Sequence, residues 1–544
     1  MTFRKIFSTI TKKEWQFVWL MTLALIILTS LSVIYGYLRS QPNQVFTGMH
    51  FVSADDWFVY YSLINQAKTG HLFSLDLYAS VVQAPILRPL WSLVGSLAWL
   101  FNLPDWAAMN LARIFLIPVF LFIAYLFIAY LFKEKFWRKI ALFFLSFSSG
   151  LGILFIYRLI KNPLNASRGQ SQWPMDLWVP DINTFFSLFT SPHFIAGTIL
   201  ILLIFLATLV FIENQKYFYS ILAGLAGLIL FSFHPFQVIK VYGVLLCFSL
   251  AIFLKNKKIN WRLVIHNFIF FLISSPAVLY YLWLMKYDWL TVQRSLQNFC
   301  PTTPIYLTIF SFGGLLFFSI FTVYLFWQKK IKFNTNQLFL VVWLLVQFGL
   351  LYAPINYQRR TALGVHFPLV VLSVTALVYL YHRYKKWFSR HLVAVVAAGI
   401  LIFLPSTFFA ISADLMVFSQ SRELSYITVD ESNALLWLKF STKPDSVILS
   451  SEKTGKLIPA YALRFSYVGH PVETPFYNQK KSDPVWYFSN QKSASQQRQF
   501  LQEQKIDYVF YGPQEKLINP DWSADQKYLK LIYHNQSVDV YQVL

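Results

Sequence analysis

Residues 17–38 read FVWLMTLALIILTSLSVIYGYL, a run without a single charge, and they follow Arg4, Lys5, Lys12 and Lys13. An α-helix needs ~20 apolar residues to cross ~30 Å of hydrocarbon, and this run supplies them. The basic leader is of the signal-peptide kind. However, the run is too long for a signal core and lacks a small-x-small cleavage site, so an uncleaved anchor is expected. Similar apolar runs lie near 107–132, 140–157, 193–212, 217–233, 238–254, 263–285, 304–327, 337–352, 363–381 and 392–411, which makes eleven expected spans.

The composition agrees with lipid as the main solvent. The 544 residues are 56% hydrophobic, 19% aromatic and 13% charged, against ~25% charged in an ordinary globular chain. Mean hydropathy is +0.49. The fold class expected is an α-helical polytopic membrane protein with about eleven transmembrane helices (residues 1–411). A C-terminal extracytoplasmic α/β domain (412–544) follows it.

The net charge of +22 does not point to nucleic acid. Residues 412–544 hold 14 basic and 14 acidic side chains, so the excess lies among the apolar runs, 32 basic against 10 acidic. Basic residues between spans are cytoplasmic anchors. The N-terminus, 133–139, 213–216, 255–262, 328–336 and 382–391 together carry 20 basic residues and three acids, and they alternate along the chain. This places the N-terminus inside and 412–544 outside a cytoplasmic (inner) membrane. It requires that 86–103, which contains Arg88 and Pro89, be interfacial or re-entrant. The cysteines, Cys247 and Cys300, have no metal or disulfide spacing, and Cys247, inside an apolar run, is expected to be buried.

With this topology, seven of the ten acids in 1–411 fall on the outer side: Asp55, Asp56, Asp76, Asp105, Asp176, Asp181 and Asp288. Two of them open the long first outer loop (39–106) in the stretch Ala54-Asp55-Asp56-Trp57-Phe58-Val59-Tyr60-Tyr61. Apolar positions 57, 60, 61, 64 and 67 have helical spacing. The aspartates then occupy the first turn of an amphipathic helix on the membrane surface, with Ser53 as its N-cap. First-turn acids also favour the helix dipole without any chemical role.

An acid pair opening a large first outer loop, on a chain of about eleven spans, resembles the GT-C superfamily of membrane glycosyltransferases. Protein O-mannosyltransferases, aminoarabinose transferases and oligosaccharyltransferases belong to it. The resemblance implies that a first-loop acid is catalytic, deprotonating or orienting the acceptor or coordinating a divalent metal (Mg or Mn) that does. It also implies a polyprenyl-phosphate-linked sugar as donor. Adjacent helical residues point ~100° apart, so only one of the two can face the reacting carbon squarely. Asp55 is expected to be the base, and Asp56 to bind acceptor or metal.

Other polar residues gather at the outer level. The second long outer loop (158–192) contains Asp181, His193 opens a span beside Pro192, and His234 ends another beside Pro235, with Lys240 following. Arg359 and Arg360 stand on the side opposite the anchors. Guanidinium groups suit phosphate, and the resemblance implies basic residues at the carrier's phosphate. Asp181, His193, His234, Lys240, Arg359 and Arg360 are therefore the expected substrate-binding set. Arg113, within a span, is expected to pair with Asp105 or with an acid of the pair.

Residues 412–544 read as helix 430–441, strand 446–450, helix 454–462, strand 465–468, helix 494–504, strand 507–511 and a pair near 529–534 and 537–543, a small α/β sheet. Strand ends carry Ser450–Gly455 and Gly469-His470-Pro471-Val472-Glu473-Thr474-Pro475. Open α/β sheets bind ligands at such ends, which makes His470 and Glu473 candidate acceptor contacts.

The expectation is a hexosyl transferase. It moves sugar from a polyprenyl-phosphate carrier to a protein, lipid or glycan acceptor on the outer face. The competing readings are a flippase for lipid-linked saccharides and an O-antigen ligase or polymerase. A flippase is disfavoured because no internal repeat and no mid-span acid is evident. A ligase would place its key Arg and His in a large late loop, whereas the late outer loops here are short.

Overall fold

The computed structural model describes residues 2–157, 172–421, 424–489 and 493–544. Residues 158–171, part of the second long loop expected on the outer side, lie outside the described residues.

A helix occurs at each of the eleven expected spans: Lys12–Leu38, Asp105–Leu131, Lys135–Phe155, Pro192–Asn214, Phe218–Phe233, Gln237–Asn256, Trp261–Tyr287, Ile305–Trp327, Thr335–Leu351, His366–Arg383, and the pair Leu392–Phe403 and Pro405–Ser419 bent by 54°. Among the described residues, seven are long and apolar enough to cross a membrane, or eight if the bent pair is one span. This is a multi-pass membrane protein. The segment expected not to cross contains helix Pro89–Leu100, whose 12 residues reach only ~18 Å at 1.5 Å per residue. Cys247 is exposed, a correction to its expected burial: its helix turns that side away from the protein, so lipid rather than protein supplies its apolar surroundings.

The described chain falls into two compact units. One comprises Met1–Leu31, Asn110–Tyr281 and Cys300–Ala413, and the other Ser32–Met109, Leu282–Phe299 and Asp414–Leu544. In the first unit, Pro192–Asn214 is the most enclosed of the candidate spans and packs along Phe218–Phe233. Several of the unit's buried polar side chains find partners nearby. His366 meets Ser148 and Thr184, and the fully buried Arg113 donates to Thr29, Ser30, Asn110 and the Leu188 carbonyl. Hydroxyls, an amide and a carbonyl thus hold the guanidinium where an acid was expected.

The second unit carries a five-stranded sheet. Its strands are numbered here with the two short ladders: β1 (Gln44–Phe46), β2 (Phe73–Ser74), β3 (Ile86–Leu87), β4 (Tyr426–Thr428), β5 (Val447–Leu449), β6 (Phe465–Ser466), β7 (Tyr508–Tyr511), β8 (Leu529–His534) and β9 (Asp539–Val543). The sheet order is β6-β5-β7-β9-β8, with β5 parallel to β6 and β7, and β9 antiparallel to β7 and β8. Val447, Leu449, Val468, Phe488, Leu501 and Val509 form its core. The β1–β4 ladder, with Val45 opposite Ile427, ties the segment 39–106 to the chain that follows helix Pro405–Ser419.

Helix Ala54–Lys68 is not an amphipathic surface helix. Trp57, Phe58, Tyr61 and Ile64 are buried, and Leu63, Asn65 and Gln66 on its other sides are buried too. Helix Pro89–Leu100 covers one flank. A Cβ added at Gly95 would lie 2.6 Å from the Ile64 carbonyl, and Tyr60 stacks on Trp91 at 4.4 Å. Residues 458–462 cover another flank, with Asn65 donating to the Ala460 carbonyl at 2.8 Å. The spacing 57, 60, 61, 64, 67 reports one apolar stripe, but the partners come from distant segments that local periodicity does not reveal.

Candidate active site

The acid pair sits in the first turn of helix Ala54–Lys68. Ser53 precedes it in a left-handed conformation (φ 52°, ψ 41°), and its side chain makes no capping bond. The expected serine cap is thus corrected: a capping side chain needs the extended backbone of an N-cap residue, and Ser53 is left-handed. The helix nevertheless begins here, and its positive end favours both carboxylates.

Each aspartate meets a cation or proton donor from the C-terminal part of the same unit. Lys456 Nζ lies 2.6 Å from Asp55 Oδ1 and 3.2 Å from Glu452 Oε1. Although burial opposes it, this ammonium holds Asp55 below the ordinary carboxylate range. His470 Nε2 lies 3.2 Å from Asp56 Oδ1. The opposite ring nitrogen, Nδ1, accepts the amides of Val472 and Glu473, each at 3.1 Å. An atom that accepts two N–H groups carries no proton, so Nε2 carries it and donates to Asp56. Burial lowers the affinity of His470 for a second proton while Asp56, Glu473 and Asp55 raise it, with a net upward pull. The two amides occupy the lone pair that proton would need. Asp55 is 46% exposed, Asp56 25% and His470 4%, so Asp55 is the more open carboxylate.

The two loops that deliver Lys456 and His470 touch through glycines. A Cβ on Gly455 would stand 1.8 Å from the Val468 carbonyl oxygen, and one on Gly469 would stand 2.4 Å from that of Gly455. Helix Glu452–Leu457 thereby lies directly on the strand end that leads to His470. Tyr78 OH donates to the Lys456 carbonyl at 2.9 Å.

Glu473 faces inward. Arg294, on helix Trp289–Gln297, pairs with its carboxylate and lies 3.6 Å from Asp76. Burial and the Glu473 carboxylate push Asp76 up to about 7, while Arg294 holds Glu473 well below its usual range. Asp105 accepts from Asn65 at 2.7 Å and lies 3.9 Å from Lys68. Asp288 caps helix Trp289–Gln297 and accepts the Ala84 amide. A buried pair that sequence reading missed, His50 and Asp414, anchors the residues just before the acid pair. Asp414 also accepts the Phe51 amide at 2.8 Å and the Ser32 hydroxyl at 3.1 Å.

The six expected substrate-binding residues converge within the other unit. The rings of His193 and His234 are 5.4 Å apart, and His193 Nδ1 lies 2.7 Å from Ser191 Oγ. Lys240, fully buried, donates to the Leu363 carbonyl at 2.5 Å. Arg359 lies over the Trp178 ring at 4.4 Å, and the Arg360 carbonyl accepts from Gln237 at 3.0 Å. Asp181 is buried near Arg360, Arg359 and Lys240, and burial outweighs them to push its carboxyl up to about 6. Three cationic side chains around one acid leave net positive charge in a low-dielectric setting, which favours an anion.

Asp55 and Asp56 do not fit a divalent metal as arranged. Lys456 and the Nε2–H of His470 present protons, not lone pairs, to those oxygens. Among the described residues, no group of three or more His, Cys, Asp or Glu could hold a metal ion. Lys456, Arg294 and Gln297 went unrecognised in the sequence. Its one signal for Lys456 is the pair of glycines, Gly455 and Gly469, in the two strand-end loops.

No family profile and no curated protein matches the chain by sequence. Solved structures do match its fold. The apo oligosaccharyltransferase of Archaeoglobus fulgidus aligns with a TM-score of 0.56 at 13% identity, over 90% of this chain and 69% of that one. ArnT from Cupriavidus metallidurans, solved bound to undecaprenyl phosphate, aligns at 0.53 and 11% identity over 98% of both. The mycobacterial arabinofuranosyltransferase AftD aligns at 0.50 and 12–14% identity, over 95% of this chain and 40–41% of its own length. The chain has the fold of the GT-C membrane glycosyltransferases.

Proposed function

We propose that this chain is a GT-C glycosyltransferase that moves a sugar, a hexose on the present reading, from a polyprenyl-phosphate carrier to an acceptor. Its N-terminus is cytoplasmic, and residues 412–544 and the first loop face outward from the cytoplasmic membrane. The observation that carries this reading is the first-turn acid pair, each member engaged by a separate C-terminal residue, on a GT-C fold. The undecaprenyl phosphate in the ArnT structure and the dolichol-phosphate in an Archaeoglobus fulgidus AglB structure support a lipid carrier.

In the proposed reaction an acceptor hydroxyl attacks the sugar C1, and the C1–O bond to phosphate breaks. The bonding pair leaves with the carrier phosphate, and the hydroxyl proton passes to Asp55. Asp55 suits this role because it is the more open carboxylate and because Lys456 keeps it ionised. A carboxylate so stabilised is a weak base, yet the acceptor oxygen grows acidic as its new bond forms, so the transfer runs downhill late in the step. Asp56, fixed by His470, orients the acceptor. The cluster of Lys240, Arg359 and Arg360 takes the carrier phosphate, with His193, His234 and Asp181 setting its polarity.

The test uses purified protein, radiolabelled polyprenyl-phosphate sugars and envelope acceptors, with and without EDTA. Asp55→Asn is expected to lower transfer ~10²–10⁴-fold with the fold retained, and Arg359→Ala to raise the donor KM ~10-fold or more. If wild type transfers nothing from any donor while vesicles show lipid-linked sugar crossing the bilayer, the flippase reading replaces this one.

A further inference from the structure

His470 owes its orientation to a small helix distant from it in sequence. The loop 469–476 has no regular structure between β6 and helix Tyr477–Lys480. Its carbonyls at Pro471, Val472 and Thr474 converge on the Gln297 amide, at 3.4, 3.1 and 2.8 Å. The Gln297 carbonyl oxygen in turn accepts the Phe476 amide at 2.9 Å. One turn earlier on the same helix, Arg294 pairs with Glu473. Trp289, on the first turn, packs its ring 5.9 Å from that of Phe476. Phe476 itself is held at φ 56°, a conformation costly for a bulky residue unless its surroundings impose it.

The consequence falls on the imidazole. Val472 and Glu473, whose amides fix Nδ1 as an acceptor, are the residues Gln297 and Arg294 grip. We infer that helix Trp289–Gln297 is a positioning element for the acid pair: Gln297 and Arg294 hold the 471–476 loop so that His470 keeps its Nε2–H on Asp56. Gln297 touches neither acid. It acts through the loop and the imidazole. The inference deepens the glycosyl-transfer reading and rests on it for its effect on rate, but its structural content is measurable without any turnover.

Gln297→Glu separates the two halves of the side chain. The Oε1 that accepts the Phe476 amide remains, while the amide that serves three carbonyls becomes a carboxylate that repels them. The measurement is imidazole ¹⁵N NMR of the full chain in proteoliposomes, with His470 assigned by its loss in His470→Gln among ten histidines. Wild type is expected to show an unprotonated Nδ1 and a protonated Nε2. In Gln297→Glu this single tautomer is expected to be lost, and the transfer kcat to fall ~10–100-fold with donor KM within about twofold. Gln297→Ala, which removes the bonds without adding repulsion, serves if the glutamate variant does not fold. His470→Gln, which keeps an N–H donor for Asp56, is expected to retain more activity than His470→Ala.

A tautomer unchanged in both Gln297 variants overturns the inference, whether or not the rate falls. A tautomer lost in the variants, in a protein that transfers no sugar from any donor, upholds the positioning role and removes the glycosyl-transfer reading instead.

Discussion

Gly455→Ala is the sharpest test of how the acid pair acquires its partners. An alanine Cβ would sit 1.8 Å from the Val468 carbonyl oxygen and 2.8 Å from Ser466 Oγ, whereas ordinary contact begins near 3.4 Å. The first neighbour is backbone in a packed strand end and cannot rotate away. Helix Glu452–Leu457 and the 466–468 segment must therefore part by about 1.6 Å, because close-packed interiors offer no void to absorb the methyl. Overpacking of this kind costs ~1–3 kcal/mol. At a fixed scan rate, ~2 kcal/mol corresponds to ~4–8 °C in unfolding temperature for a unit of this size.

The functional cost is expected to exceed the stability cost. Lys456 follows Gly455 directly, and His470 lies two residues beyond Val468, so the separation pulls apart the groups that hold Asp55 at 2.6 Å and Asp56 at 3.2 Å. A misplacement of ~1 Å in such an array costs ~10²-fold in rate. Thermal unfolding and transfer from a polyprenyl-phosphate sugar are the paired assays. Gly399→Ala is the control, since a Cβ there meets nothing within 4 Å, and it should leave both unchanged. Wild-type stability together with wild-type transfer in Gly455→Ala would refute the argument that these two loops meet through backbone.

Two further outcomes follow from buried charge in the same unit. Asp76 binds its proton up to about 7 when folded, against 3.8 for the free group. The folded state therefore holds the extra proton between those values, so this group's stabilisation is present at low pH and lost as pH rises through 7. Over about three units that amounts to at most ~4 kcal/mol. Asp76→Asn should flatten the decline in unfolding temperature between pH 5 and 8, and an unaltered slope would count against it. Asp414→Ala strips the acceptor from His50, Phe51 and Ser32 in a fully buried site. It is expected to cost ~3–5 kcal/mol, read as a fall in unfolding temperature that Ser32→Ala reproduces only in small part.

Much of the architecture was legible in the chain because lipid imposes a one-dimensional rule. A spanning helix must be long and apolar, and it satisfies its backbone internally, so a helix at each of the eleven positions can be read locally. Among the described residues, however, only seven or eight are long and apolar enough to cross. Helix ends were less legible: the last helix continues to Ser419, eight residues beyond the expected end, and so carries Asp414. In 412–544, alternating apolar residues and turn signals place the five strands of the sheet within a few residues of their observed positions, whereas β4, whose partner β1 lies in a distant segment, went unread. Sheet order was not legible, because pairing β7 with β9 is a choice among distant segments.

The acid pair shows the same division. Its occurrence in the first turn of a helix is a local matter, set by the 57, 60, 61, 64, 67 spacing. Its electrostatics are not local. Lys456 and His470 lie 401 and 414 residues away from Asp55 and Asp56, and nothing in the spacing of either stretch announces the contact. Glu473, read as a ligand contact at a strand end, also pairs with Arg294, a residue that the strand-end reading does not reach.

The sequence by itself determined where the long apolar helices lie and where the scarce carboxylates cluster along the chain. Hydropathy and charge act residue by residue, and neither needs a partner to be read. Only the tertiary structure decided which cations meet which acids, which imidazole nitrogen carries the proton, and that two glycines let the loops close. Those outcomes depend on distances of a few ångströms between segments hundreds of residues apart, and packing alone sets them.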